Sequence, residues 1–384
     1  MKILIVMGGF FPGQKYGGPP VSVNNFCSLF REDECYIVTK NHDKDESLPY
    51  EGIDSGIWTK RDNCYVKYIS DESYKKSEFE KVILEIKPDV LYLQGLFQSC
   101  VLPCLELAKK YSLKVMLAPR GELCAGALKK KYKKIPYIAY LRMRKLVRNI
   151  DYQSTSQEET DAIKQYLKAK NNRIYFLTNI PSIPQKEYTH VRKKSGEGKF
   201  VFLSRIHPKK NLISAIDYMK AVQGKVVFDI YGPIEDEEYW KQCNQKIHEL
   251  PQNVTVNYCG LVRHEKVHEI FSHYNAFLFP TFSENYGHVI SESMMVGTPV
   301  IISDQTPWSD IVQANAGWAN SLERENEFID AIQKIIDMDE EKFSELTQNV
   351  KSYITNKVEI CKLKKIYKKC SKHKNVGLQY MCYN

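Results

Sequence analysis

Two kinds of segment alternate along this chain. Short apolar runs rich in β-branched and aromatic residues recur along it, each followed by a turn and then by apolar residues at helical spacing. Among residues 1–180 the runs 2–7, 35–39, 89–94, 115–118, 151–155 and 173–177 read as strands. Val23, Phe26, Cys27 and Phe30 mark one intervening helix, and Phe79, Val82, Ile83 and Ile86 mark another that Pro88 ends. Ser156 reads as an N-cap, with Glu158 and Glu159 in the turn it opens. The pattern resumes with runs at 199–203, 226–230, 254–258, 276–279 and 299–303. Strands alternating with helices predict an α/β fold of parallel, doubly wound sheets. Ligands of such sheets meet the loops beyond the strands' C-terminal ends, which places Gly18, Gln94 and Arg120 near one another.

A chain of 384 residues is too long for one ordinary domain and suits two of this kind. The stretch 179–198 is rich in Pro, Lys and Gly and reads as a connection. The expected division is therefore a first domain at 1–180, a linker at 181–198, a second domain at 199–354 and a basic, helical C-terminal segment at 355–384. No apolar run approaches the ~20 residues of a membrane span. The apolar N-terminus breaks at Gly8-Gly9 and reads as a buried strand, not a signal peptide. Eleven cysteines without a CxxC pair favour reduced thiols in a cytoplasmic protein.

The stretch 279–308 carries the chemistry. A strand ends at Pro280, and a loop follows with Glu284, Asn285, Tyr286 and Gly287. A helix begins at His288 and Val289 and stops at Gly297, and a second strand starts at Pro299. Glu284 and Glu292 lie eight positions apart, one in the loop and one in the helix. The amides around Gly287 to Ile290 suit an anion, since a helix start exposes unpaired N–H groups and the positive end of the dipole. Held by amides, a diphosphate leaves both carboxylates free to accept hydrogen bonds from sugar and ribose hydroxyls. This order of Glu284, Tyr286, Gly287, Glu292, Gly297, Thr298 and Pro299 resembles the C-terminal half of a large family of retaining glycosyltransferases. That family includes sucrose synthase and many bacterial capsule and lipopolysaccharide enzymes.

The resemblance implies a GT-B fold, two Rossmann-like domains facing across a cleft, the first binding acceptor and the second a nucleotide sugar. It implies that Glu284 holds donor-sugar hydroxyls, as the chief catalytic carboxylate, and that Glu292 holds the ribose. Arg205 and Lys210, five positions apart where a strand turns into a helix, resemble the family's donor-phosphate pair. Gly232 and Pro233 correspond to a loop near the nucleotide, and Gly17 and Gly18 to one that approaches the donor phosphate. The family's N-terminal catalytic His is absent, since His42 is the only His before the linker and is misplaced. Arg120-Gly121-Glu122 occupies the corresponding turn, so Arg120 is the catalytic candidate there.

Between residues 123 and 150 there is no acidic residue. Lys129, Lys130, Lys131, Lys133, Lys134, Arg142, Arg144, Lys145 and Arg148 alternate there with tyrosines and aliphatics. A solvated face usually mixes signs, so this patch fits a surface resting on anionic lipid headgroups. No nucleic-acid-binding motif accompanies it. Two D-x-D strings, at Asp43-Lys44-Asp45 and Asp337-Met338-Asp339, read as chance, and no His/Cys/Asp cluster has ligand spacing. The expectation is a metal-independent enzyme without a cofactor, on the inner face of the cell membrane. It would transfer sugar from a nucleoside diphosphate to a lipid-linked (polyprenyl diphosphate) or oligosaccharide acceptor of surface polysaccharide. A sugar-nucleotide epimerase of the same fold, or a non-catalytic membrane- or nucleic-acid-binding scaffold, is the alternative.

Overall fold

Residues at alternate positions of the first strand are all buried, and that decides the architecture. In β1 (Lys2–Val6) Ile3 and Ile5 belong to one apolar cluster while Leu4 and Val6 belong to another. A strand apolar on both faces requires cover on both, which parallel sheets obtain from crossover helices. The computed structural model describes residues 1–124, 127, 128 and 131–358, apart from the side chains of residues 131 and 132.

Met1–Ile180 forms one unit and a second begins at Pro181. The first unit continues with α1 (Gly18–Leu29), β2 (Glu34–Lys40), β3 (Trp58–Arg61), β4 (Cys64–Ile69), α2 (Lys76–Ile86) and β5 (Val90–Gln94). There follow α3 (Val101–Lys110), β6 (Lys114–Ala118), α4 (Lys131–Met143), β7 (Asp151–Ser154), α5 (Gln157–Ala162) and β8 (Ile174–Phe176). Among the described residues these strands make an eight-stranded sheet in the order β3-β4-β2-β1-β5-β6-β7-β8. All neighbours run parallel except β3 with β4.

The second unit runs β9 (Glu197–Leu203), α6 (Leu212–Tyr218), β10 (Lys225–Tyr231), α7 (Glu237–His248), β11 (Val254–Gly260), α8 (Val267–Ser272) and β12 (Ala276–Phe279). It continues with α9 (His288–Met295), β13 (Val300–Ser303), β14 (Gly317–Asn320), α10 (Glu325–Asp337) and α11 (Glu340–Lys357). Its parallel sheet has the order β11-β10-β9-β12-β13-β14. In each sheet the chain builds outward from one central strand, first to one side and then to the other. Strand order therefore reverses between β1 and β5, and between β9 and β12, and ligands of such sheets bind beside that reversal.

The strands expected at 2–7, 35–39, 89–94, 115–118, 151–155 and 199–203 are present within a residue or two, and Ser156 caps α5 by accepting the Glu159 amide. The antiparallel hairpin of β3 and β4, and β14, were not expected. Asn211, immediately before α6, does not cap it: it sits in the left-handed region at φ 57° and its side chain makes no cap bond. Residues 181–196 lie against the second unit, where the Lys193 ammonium donates to the Ile336 and Met338 carbonyls at 2.9 and 3.0 Å. Of the C-terminal segment expected at 355–384, residues 359–384 lie outside the described residues. Among the described residues no helix is long and apolar enough to cross a membrane.

Candidate functional site

The loops after β9 and β12 flank the reversal of the second sheet, and hydrogen bonds clip one to the other. The Phe282 amide donates to the Lys209 carbonyl at 3.0 Å, and Asn211 Nδ2 donates to the Pro280 carbonyl at 2.9 Å. This sets the Lys210 ammonium on the Glu284 carboxylate in an ion pair whose side chains are only 11% and 15% exposed. Lys210 also lies 5.5 Å from the centroid of the Phe279 ring. Burial holds its ammonium below the usual lysine value, against the opposing effect of Glu284. Two residues expected to take different parts of a ligand thus stand together.

Beside the pair, α9 opens on Gly287, whose φ of 74° is costly for any residue with a side chain. The first turn of α9 has no acidic side chain and no side-chain cap, so its leading end keeps its positive character. The Ile290 amide, expected among those that suit an anion, is instead given to the Gly287 carbonyl at 2.9 Å. Tyr286 is fixed by its carbonyl, which accepts the Trp308 indole N–H, and by its ring, 5.3 Å from that of Trp308 and 4.8 Å from His288. Asn285 is exposed and Val289 half-buried.

Glu292, one turn into α9, is 4% exposed and accepts a hydrogen bond from His264 Nε2 at 3.0 Å. Burial would push its carboxyl up. The His264 bond and the nearby His288 and His268 outweigh that and hold it below the usual range. Burial would lower His264 in turn, but Glu292 keeps it above the ordinary histidine value. Both shifts favour the charged form of the group concerned. His264 was not foreseen, though His264 and His268 stand four apart on adjoining helical turns, a spacing visible in the sequence.

Arg205 places one terminal nitrogen on both oxygens of Glu235, at 2.8 and 2.6 Å, another partner not foreseen. Gly232 and Pro233 press on the same loop. A Cβ on Gly232 would come within 1.8 Å of the Ser204 carbonyl oxygen, and the Pro233 carbonyl accepts the Ile206 amide at 2.8 Å. Packing of the loop, without any ligand, accounts for the glycine there.

In the first unit Gly17 precedes α1 at φ 74°, and Gly18 begins the helix. Arg120 donates from Nε to Gln94 Oε1 at 2.8 Å, from Nη2 to the Tyr92 hydroxyl at 3.3 Å, and from Nη1 to Asn179 Oδ1. The adjoining turn is stapled by carboxylates: Glu159 accepts the Gly121 amide at 2.7 Å and Glu122 accepts the Phe97 amide at 3.0 Å. Of the basic patch, Lys129 and Lys130 lie outside the described residues, as does the side chain of Lys131. Lys133 is exposed. The Lys134 ammonium donates to the Ala127 carbonyl at 2.7 Å and lies 4.6 Å from the Phe97 ring centroid. Asp43 of the first D-x-D string accepts the Gln14 and Lys15 amides at 2.7 and 3.1 Å, and Asp339 of the second caps α11.

Residues 185–354 match the family model described as Glycosyl transferases group 1. No curated protein sequence matches the chain. Among solved structures, HepE of Anabaena in complex with UDP-glucose is similar at a TM-score of 0.70 and 15% identity, over 97% of this chain and 100% of that one. Sucrose-phosphate synthase of Thermosynechococcus elongatus gives 0.71 and 14%, over 96% and 98%. The apo lipopolysaccharide outer core galactosyltransferase WaaB gives 0.61 and 16%, over 96% and 99%. At such identities the likeness is one of fold. The chain has the GT-B fold, and its second unit carries a glycosyl transferases group 1 domain.

Proposed function

We propose that the protein is a retaining glycosyltransferase that moves a sugar from a nucleoside diphosphate to a hydroxyl of a lipid-linked or oligosaccharide acceptor. The observation that carries this reading is the Lys210–Glu284 pair beside the uncapped start of α9, at the reversal of the second sheet. A diphosphate arriving there meets the amides and dipole of α9, and Lys210 transfers its charge from Glu284 to a phosphate. Arg205 adds a second cation. Glu284, released, accepts hydrogen bonds from the donor sugar, while Glu292 has one oxygen on His264 and offers the other to the ribose. These fixed charges neutralise the leaving diphosphate without a metal. The diphosphate then helps take the acceptor proton on the face it departs from, so no protein nucleophile is required.

The name of HepE, solved with UDP-glucose, supports a UDP-sugar as the first donor to try. The first unit is assigned the acceptor. On α4 the side chains of Ile135, Tyr140 and Met143 are exposed beside Arg142, Arg144 and Lys145. Apolar and cationic groups together suit a membrane surface, which supports work on the cytoplasmic leaflet beside a polyprenyl diphosphate acceptor in surface polysaccharide assembly. The test is incubation with labelled UDP-sugars and a panel of acceptors, reading the anomeric configuration of the product by NMR. An α-linked product from an α-linked donor is expected. An inverted product, or turnover of the donor to its epimer without acceptor, would overturn the reading.

A further inference from the structure

We propose that Arg120 and Gln94 form an oxyanion-binding pair in the first unit that takes a phosphoryl group carried by the acceptor. This rests on the acceptor role proposed for that unit. A guanidinium has five N–H donors, and Arg120 gives three to the oxygens of Gln94, Asn179 and Tyr92. All three partners are neutral, and among the described residues Arg120 makes no ion pair with a carboxylate. The two carboxylates of the neighbouring turn are held elsewhere: Glu122 by the Leu96 and Phe97 amides, and Glu159 by the amides of Gly121 and Thr155. Arg120 is thus oriented without being neutralised, which is costly for a half-buried cation unless an anion completes the site.

Gln94 supplies the second, independent observation. Its Oε1 is fixed towards Arg120, because the reversed amide would set N–H against N–H. Its Nε2 therefore faces the other way, and there it has no hydrogen-bond partner although the residue is 3% exposed. A buried donor left unpaired is rare and unfavourable. Gln94 ends β5 and Arg120 follows β6, so both stand beyond the C-terminal ends of adjacent strands, beside the β1/β5 reversal where ligands bind. The unused groups are all donors. A sugar hydroxyl asks for acceptors as well, whereas a phosphoryl oxygen asks only for donors. Of the acceptor classes proposed above, those that bear phosphate fit.

The experiment is calorimetric titration of the UDP-loaded protein, so that the second unit's site is filled, with inorganic pyrophosphate, a hexose 6-phosphate and a short-chain prenyl diphosphate. At least one binds, and whichever binds most tightly tells whether sugar or lipid carries the phosphate. Gln94→Glu keeps the side chain's shape, sets a carboxylate on Arg120 and weakens that binding at least tenfold. Arg120→Lys keeps the charge, loses the planar fork and weakens it too. Both variants keep wild-type affinity for UDP, which shows that the protein is folded. The proposal is overturned if no phosphoryl compound binds the wild type, if both variants bind as it does, or if glucuronate binds in preference. Failure of UDP to bind at all contradicts the donor site instead; the same titrations on nucleotide-free wild type and variants then still decide the Arg120–Gln94 pair.

Discussion

Replacing Glu284 by Gln separates the two roles met in the Lys210–Glu284 pair. Two unit charges ~4 Å apart at an effective dielectric of ~20 attract by about 4 kcal/mol. The amide of Gln retains a hydrogen bond of about 1 kcal/mol, and the residual exposure of 11% and 15% admits some water. A coupling of roughly 2–3 kcal/mol therefore remains. It is read from a double-mutant cycle in urea with Glu284→Gln, Lys210→Met and the double variant, and a coupling under ~0.5 kcal/mol would refute the burial argument. Turnover of Glu284→Gln should fall roughly 10²-fold, since a charged acceptor is lost where charge develops. Affinity for the free nucleoside diphosphate should hold or rise, because Lys210 no longer has a competing carboxylate. Loss of nucleotide affinity in step with turnover would show that Glu284 acts through the fold and not through the sugar.

Three further outcomes are expected. Glu292 is depressed, so its contribution to stability is present above the ordinary carboxyl value and is lost as pH falls through its lower folded value. His264 is raised, so its contribution is present below ~6.5 and is lost as pH rises through the higher folded value. Stability should thus peak between those limits, and His264→Gln should remove the alkaline decline in a pH series of urea midpoints; an unchanged decline refutes the pairing. Transfer should continue in excess chelator, because Arg205, Lys210 and α9 supply the positive charge; complete loss that manganese or magnesium restores points to a metal site. Wild type should co-sediment with anionic vesicles at low salt, each cation near the surface adding about 1 kcal/mol. Charge reversal of Lys129, Lys130, Lys131 and Lys133 to Glu should release it, and failure of the wild type to sediment leaves that patch a solvated face.

Strands buried on both faces were legible because nothing else explains a run such as Leu91, Tyr92 and Leu93 between Pro88 and Gly95. The β3–β4 hairpin was not. Its outer strand, Trp58–Arg61, mixes exposed polar residues with a single aromatic, so it lacks the apolar run that marks the others. The Asp62-Asn63 turn between the strands was its one local signal. That Glu284, Gly287 and Glu292 share one loop and the helix after it was legible, because spacing within such a unit survives in the sequence. Their partners were not, since His264 meets Glu292 from 28 residues away and Asn179 meets Arg120 from 59. Asn211 stands before α6 without capping it for a related reason. Its side chain serves the Pro280 carbonyl of another loop, a tertiary demand that overrides its local preference for capping.

The proposed function requires that the second unit hold a nucleoside diphosphate sugar between Arg205, Lys210 and the start of α9. Calorimetric titration of UDP-sugars, in excess chelator, into wild type and into Arg205→Ala/Lys210→Ala tests it most directly. Wild type should bind, and the double variant should lose roughly 10²-fold or more in affinity, from ~1.5–3 kcal/mol for each charge-assisted bond. Equal affinity in the two proteins would place the diphosphate elsewhere.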